Sequence, residues 1–510
     1  MRTSSLRAFG VAAAMACMVV GSAEADVALH SMFGDNMVLQ QGMRAPVWGT
    51  AEPGEAVSVT LDGQTANTEA NAEKKWKVEV PAMKAGGPHE LVVKGKNTIT
   101  LKNVMIGEVW LASGQSNMAF AVRGMADAEA ELAKADLPNL RLFTVKRNTG
   151  TKPLDTLQGS WQVCSPSSAR AFSAVAYAFG SNLVRTQRIP VGLIDASWGG
   201  TPIQAWTSDK ALRKLPELKP LFQAWENRIK KRPELMAAYM QKFTEWKEAA
   251  AKAKAANEKV PRRPRPPQGE NSAKRPSNLF NAMIHPISPY AIRGAIWYQG
   301  EANRGGPASY GLLLSTMIRD WRSLWGQGDF YFLFVQLPDF RTPQEQPSQT
   351  DGWVRVREGQ LSTLSVPNTG MAVTLGLGEA KNIHPKNKRP VGDRLALWAR
   401  AKVYGEDIVY SGPLYKSMTV EDGKIRLNFD RVGGGLAAKD GELKGFAIAG
   451  EEKKFVWAKA EIDGDTVLVR NENIAEPVAV RYAWAANPVW SLINKEGLPA
   501  SPFATDSPVE

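Results

Sequence analysis

The sequence predicts an α/β protein built on a parallel sheet, with β-rich segments on both sides of it. Three observations carry this. Short, continuously apolar runs of strand length recur between residues 106 and 405, with helical stretches between them. That is the pattern of strands buried on both faces. Before and after that region the strands alternate or are short, and Gly-rich turns punctuate them, as in antiparallel modules. Finally, a chain of 510 residues exceeds one ordinary core, so roughly two to four domains are expected.

Residues 1–25 read as a secretory signal peptide. Arg2 and Arg7 precede an apolar run over 9–20, and Ala23-Glu24-Ala25 forms a small-residue cleavage site before Asp26. The run is too short to span a bilayer and no later segment is long enough. A periplasmic or secreted protein without a membrane span is therefore expected. Cys17 raises a lipid anchor, but Ala14-Met15-Ala16 before it fits that pattern poorly. Cys164 is then the one cysteine of the mature chain, which leaves no internal disulfide. With so few Cys and His, no structural zinc is expected.

Residues 26–105 read as an N-terminal β module. Met37-Val38-Leu39, Ala45-Pro46-Val47-Trp48, Val57-Ser58-Val59-Thr60-Leu61 and Leu91-Val92-Val93 are its strands, and Pro53-Gly54, Asp62-Gly63 and Gly86-Gly87 are its turns, a sandwich-like arrangement. From residue 106 to about 405 five apolar strands follow: Glu108-Val109-Trp110-Leu111-Ala112, Val191-Gly192-Leu193-Ile194, Gly294-Ala295-Ile296-Trp297-Tyr298, residues 330–335 and residues 371–375. Helical stretches over 171–186 and 310–324 alternate with them. Residues 406–510 return to short strands, such as Ile425-Arg426-Leu427-Asn428-Phe429 and Val478-Ala479-Val480-Arg481-Tyr482, and form a C-terminal β module.

An insertion over 209–275 interrupts the α/β region. Between Asp209 and Lys274 stand 17 Lys and Arg against 8 Asp and Glu, so most of the net charge of +12 sits here. Its helical pattern over 235–254 runs into Pro261-Arg262-Arg263-Pro264-Arg265-Pro266-Pro267, an extended tract. A solvated basic helical insertion is the simplest reading; an anionic surface or polymer is the partner it would suggest. Nucleic-acid binding needs a basic face with base-reading or stacking chemistry, and nothing else supports it.

Four places just after buried strands carry reactive or polar groups, which is where open α/β sheets place their sites. In Ser113-Gly114-Gln115-Ser116-Asn117-Met118 a serine on a tight turn presents its hydroxyl to a cleft and its N–H to a developing oxyanion. The same residues also read as an ordinary capped turn. In Ala196-Ser197-Trp198-Gly199-Gly200-Thr201 the paired glycines let backbone N–H groups approach a ligand. In Trp297-Tyr298-Gln299-Gly300-Glu301-Ala302-Asn303 the Gln299 amide is a second candidate donor, Glu301 and Asn303 can brace loops, and Trp297 reads as core. Asn382-Ile383-His384-Pro385 supplies the histidine placed to take a proton from Ser116. His30, His89 and His285 read as structural.

At these residues the chain resembles the SGNH hydrolases, and within them the sialate O-acetylesterase-like enzymes. Gly114-Gln115-Ser116-Asn117-Met118 is similar to that group's nucleophile block, Ser197-Trp198-Gly199-Gly200-Thr201 to its second, and Trp297-Tyr298-Gln299-Gly300-Glu301 to its third. Ile383-His384-Pro385-Lys386-Asn387-Lys388 is similar to its last block, and Lys495-Glu496-Gly497-Leu498-Pro499 extends the likeness almost to the end. The resemblance implies a flavodoxin-like core, no metal or other cofactor, and deacetylation of a carbohydrate through an acyl-enzyme. Ser116 would be the nucleophile and His384 the base. The oxyanion would sit among the N–H groups of Ser116 and Gly199 or Gly200 and the Gln299 amide.

One departure stands out. The family usually places an Asp three residues before the histidine, or two in closer relatives; here those positions hold Lys381 and Asn382. Glu379 is the nearest upstream carboxylate, so Glu379 or a backbone carbonyl is expected to hold the imidazole tautomer. Trp198, Trp206, Asn117 and Glu301 are the candidate substrate-facing residues, although both tryptophans also suit a core. The resemblance extends to acetylesterases acting on plant-wall xyloglucan, which makes an acetylated hemicellulose the expected partner. A sialate O-acetylesterase is the alternative, and a binding protein that lost catalysis with the missing Asp is a second one.

Overall fold

The computed structural model describes residues 26–306 and 309–506; the leader and Cys17 lie outside the described residues. Its centre is a sheet in which six strands run parallel. In spatial order they are Leu137–Thr144, Val191–Ser197, Thr98–Gly114, Gly294–Tyr298, Tyr331–Val335 and Thr369–Ala372. Trp161–Cys164 adds an antiparallel edge beside Leu137–Thr144. The helices Ala174–Gln187 and Arg389–Lys402 pack together on this sheet, where Gly392 admits Ala178 at a distance no side chain would allow. Tyr310–Trp325 and Gly352–Ser362 form a second helical pair.

The middle strand explains how the N-terminal segment is attached. Over its first six residues exposure alternates; from Val104 to Gly114 every residue is buried. The alternating half pairs antiparallel with Gly86–Lys94, and the buried half lies between two parallel neighbours. One side of a half-exposed sheet thus continues as the core of another. The change of pattern read near residue 106 is real, but it falls inside one continuous strand. Val38–Gln40 pairs parallel with Met105–Gly107 of this strand, and the other N-terminal strands form a three-stranded sheet of Ala28–Leu29, Ala45–Thr50 and Lys75–Val80, and an antiparallel set of Ala56–Leu61, Gln64–Glu69 and Gly86–Lys94.

The C-terminal segment holds a four-stranded antiparallel sheet of Leu414–Glu421, Lys424–Asp430, Thr466–Arg470 and Lys459–Asp463, and further short-stranded sheets. It is bound to the α/β region through the wholly buried Arg357, whose guanidinium donates to the carbonyls of Leu337, Ala485 and Ala486. Residues 209–275 include the helices Lys219–Lys230 and Arg232–Ala255. Trp225 is buried in the first, and Ala250 and Ala253 in the second. The rest is largely solvent-facing, and the Trp246 indole N–H donates to the Pro261 carbonyl of the proline tract. Cys164 is free and buried. Among the described residues no helix is long and apolar enough to cross a membrane.

Candidate active site

Strand register brings the first three motifs together. Gly114 is level with Ser197 on one side and with Tyr298 on the other. The turns that carry Ser116, Trp198-Gly199 and Gln299 therefore leave the sheet edge side by side. Gly114 has φ +138°, and a Cβ there would lie 2.2 Å from the Tyr298 carbonyl oxygen, so the turn requires glycine. A Cβ on Gly199 would lie 3.2 Å from that of Ser116, which measures how closely the second turn approaches the serine.

His384 arrives from the far side, on the loop after Thr369–Ala372. Its Nε2 lies 2.8 Å from the Ser116 hydroxyl oxygen. A hydroxyl donating to an imidazole at that distance has the geometry of a nucleophile and its base. The pair opens into a cleft of about 370 Å³ lined also by Phe120, Arg147, Trp198 and Gly199. Burial first, and then the Lys388 charge, hold the imidazole below its ordinary pKa, so it is neutral and able to accept a proton near neutral pH. The backbone N–H groups of Ser116 and Gly199 are bonded to no acceptor among the described residues.

The histidine loop is held by its backbone. The Asn382 side chain accepts from the His384 N–H at 3.1 Å and donates to the His384 carbonyl at 2.8 Å. Glu379 fixes Asn382 in turn, accepting from its amide at 2.9 Å and from the Lys386 N–H at 2.7 Å. These two bonds depress the Glu379 pKa. Among the described residues no carboxylate hydrogen-bonds the imidazole. Of the two expected ring partners, Glu379 or a backbone carbonyl, neither hydrogen-bonds the imidazole among the described residues; Glu379 instead reaches the His384 backbone through Asn382, which occupies the position two before the histidine.

Beneath the pair lies a buried polar bridge that the sequence reading did not anticipate. The Asn117 amide donates to Glu301 Oε1 at 2.5 Å and to the Ile383 carbonyl at 3.0 Å, and its Oδ1 accepts from Lys388 Nζ at 2.6 Å. One side chain therefore ties the serine turn, the third motif and the histidine loop together. Lys388 is wholly buried, with its ammonium over the Phe120 and Tyr298 rings. Burial lowers its pKa to about 7 against the pull of Glu301 and Glu379. Burial likewise raises the Glu301 carboxyl, whose Oε2 has no partner among the described residues.

The remaining expectations divide. Ser116, Gly199, His384 and the half-exposed Trp198 meet at the cleft; Gly200 does not line it. Gln299 is wholly buried, and its amide is directed at Gln115, Thr201 and Asn303. It braces the turns rather than pointing a free hydrogen at the serine. Asn117 and Glu301 form the buried bridge, not a sugar-facing surface. Trp206 is buried edge-to-face on Trp297, with its N–H on Thr201, so it is core. His30 and His285 bond to the carbonyls of Asp155 and Leu154, and His89 pairs with Asp62.

A parallel α/β sheet with a serine–histidine pair and free backbone donors at its carboxyl edge has the architecture of a serine-type hydrolase. Comparison with known proteins makes this specific. The profile of the family described as carbohydrate esterase, sialic acid-specific acetylesterase, matches residues 106–243 and 269–399. The sialate O-acetylesterase of Mus musculus is 31% identical, covering 94% of this chain and 93% of its own. That of Homo sapiens is 29% identical over 93% and 91%. The crystal structure of a carbohydrate acetylesterase from Xanthomonas citri is 36% identical, with a TM-score of 0.80 over 94% of this chain and all of its own. The chain belongs to this carbohydrate esterase family and is a carboxylic ester hydrolase.

Proposed function

We propose that the protein removes acetyl groups from plant cell-wall hemicellulose, such as xyloglucan or xylan, through an acyl-enzyme on Ser116. The observation that carries the reading is the 2.8 Å contact between His384 Nε2 and the Ser116 hydroxyl. In this mechanism Ser116 attacks the acetyl carbonyl as His384 takes its proton. The Ser116 and Gly199 N–H groups receive the oxyanion, and His384 then protonates the departing sugar hydroxyl. Water, activated by the same imidazole, releases acetate. Similarity to the Xanthomonas citri carbohydrate acetylesterase supports an acetylated carbohydrate as substrate. The curated relatives favour a second reading, a sialate O-acetylesterase.

The same proposal reads the five strands that exclude Leu137–Thr144 as a flavodoxin-like core, because their spatial order by chain position is 2-1-3-4-5. It divides the mature chain at 26–105, 106–405 and 406–510, with 209–275 as an insertion, and places it in the periplasm or outside the cell. The test is acetate release by the wild type and by Ser116→Ala on acetylated xyloglucan, acetylated xylan and O-acetyl sialic acid in parallel. Ser116-dependent release, fastest from a hemicellulose, is expected. Fastest release from the sialic acid would replace the substrate, and release that survives Ser116→Ala would overturn the mechanism.

A further inference from the structure

The two loops that wall the Ser116 cleft run on into a second cavity. Arg147, which lines the cleft, is followed at Thr151–Pro153 by residues that line a cavity of about 420 Å³; Trp198 and Gly199 are followed likewise by Ser208, Asp209 and Lys210. From Arg147 to Thr151 is four residues, so the Cα atoms of these two lining residues are at most about 14 Å apart. The loop is pinned between these residues: the Gly150 N–H donates to the Asn278 carbonyl, and the Asn281 amide to the Gly150 carbonyl. The far wall is Phe222 and Trp225 of the insertion's first helix.

The charge of this cavity is unbalanced. Asp209 is engaged by Arg213 at 2.6 Å, and Arg213 in turn lies over the Phe222 ring. That leaves Glu226 among Lys152, Lys210 and Arg275, none of which has a carboxylate within 4.0 Å among the described residues, although the Lys210 charge also acts on the more distant Asp320 carboxyl. Ser277 also lines the cavity. It is 2% exposed, and its hydroxyl has no hydrogen-bond partner among the described residues. Cations, an unpartnered hydroxyl and an aromatic wall in a space of this size suit a ring that carries both hydroxyls and a negative charge.

We propose that this cavity is a subsite for the carboxylate of a uronic-acid residue of the substrate, beside the acetylated sugar but distinct from it. The proposal rests on the polysaccharide-esterase reading and narrows it to acidic chains. The insertion then has a role in the site: its first helix closes the subsite, and its positive charge draws the polyanion toward the cleft.

The test is a binding titration with Ser116→Ala protein, which requires no hydrolysis and so stands or falls separately from the esterase reading. The probes are a glucuronate-bearing xylo-oligosaccharide, the same oligosaccharide without the acid, N-acetylneuraminate and inorganic phosphate. The acidic oligosaccharide should bind about tenfold more tightly than the neutral one at low salt. Adding Lys152→Gln or Arg275→Gln should remove most of that advantage while neutral binding stays the same. Lys152 is exposed, so its replacement does not threaten folding. Equal binding of the two oligosaccharides, variants without effect, stronger binding of N-acetylneuraminate, or equal competition by phosphate would each overturn the assignment.

Discussion

Replacing Lys388 by methionine keeps the apolar stem against Phe120 and Tyr298 and deletes the charge and the bond to Asn117. The unfolded chain holds the lysine proton up to the ordinary 10.5, whereas the fold releases it near 7. Between those values the unfolded state carries more protons, so the wild type gains stability as pH rises, and below about 7 this contribution is flat. Because the folded lysine is still half protonated near pH 7, the gain over Lys388→Met from pH 7 to 9 falls short of two full units of 1.36 kcal/mol and is roughly 2 kcal/mol. Urea unfolding followed by tryptophan fluorescence at both pH values reads it directly. Activity shifts as well. The Lys388 charge contributes to holding the His384 pKa down, so the acid limb of kcat/KM should move to higher pH in the variant. Parallel stability curves from pH 7 to 9 would refute the claim that burial strips this proton.

If Ser116 and His384 act as one unit, His384→Ala should lower kcat by roughly 10²–10⁴-fold, and the double variant with Ser116→Ala should be no worse than Ser116→Ala alone; additive losses in single-turnover assays would separate the two residues. Glu379→Ala and Asn382→Ala should slow turnover to a similar extent, with the double variant close to either single one, because both act on one loop through one bond; a fully additive double variant would place them in different roles. Asn117→Leu leaves Lys388, Glu301 and the Ile383 carbonyl unpaired, and a shift of about 1 Å in His384 is enough for a roughly 10²-fold fall in kcat, with KM little changed in steady-state kinetics. Trp206→Ala should cost about 3–5 kcal/mol of stability as a core cavity, whereas Trp198→Ala should raise KM on polymeric substrate at nearly unchanged urea midpoint.

How much of this was legible depended on whether the signal was local. The five apolar strands were readable because burial on both faces leaves continuous apolar runs, and all five are present, although the last ends at Ala372 instead of residue 375. Leu137–Thr144 escaped notice because Pro138, Asn139 and Arg141 break its apolar run. Arg141 is nevertheless buried, donating to the Pro138 carbonyl and to Asn103. The edge strand Trp161–Cys164 is too short to show a period. At the site, Ser116, Gly199 and His384 could be found because turn chemistry after a strand is written in neighbouring residues. The Asn117–Glu301–Lys388 bridge could not, since it forms only when three loops from distant parts of the chain close on one another. Nothing in Ile383-His384-Pro385-Lys386-Asn387-Lys388 separates the buried Lys388 from the exposed Lys386. Glu379 was found by proximity in sequence, which identified the right segment and the wrong contact.

The two devices at the site solve one problem from opposite ends. A serine and a histidine borne on loops whose strands have two others between them must be held to within about half an ångström to react efficiently, and a carboxylate on the imidazole would fix only the ring. Here Asn382 grips the backbone of His384 from one side, and Asn117 grips the Ile383 carbonyl from the other. The loop, and with it the ring, is set relative to the serine turn. The bridge requires a buried lysine, and its charge disfavours protonation of His384 as a triad carboxylate would not. In the proposed mechanism a pair held this way keeps its base neutral to lower pH, while the imidazolium that would form in the reaction is less stabilised. This trade suits acetyl transfer from a sugar hydroxyl: the imidazolium persists only until it returns its proton to the leaving oxygen, and a more acidic imidazolium returns it more readily.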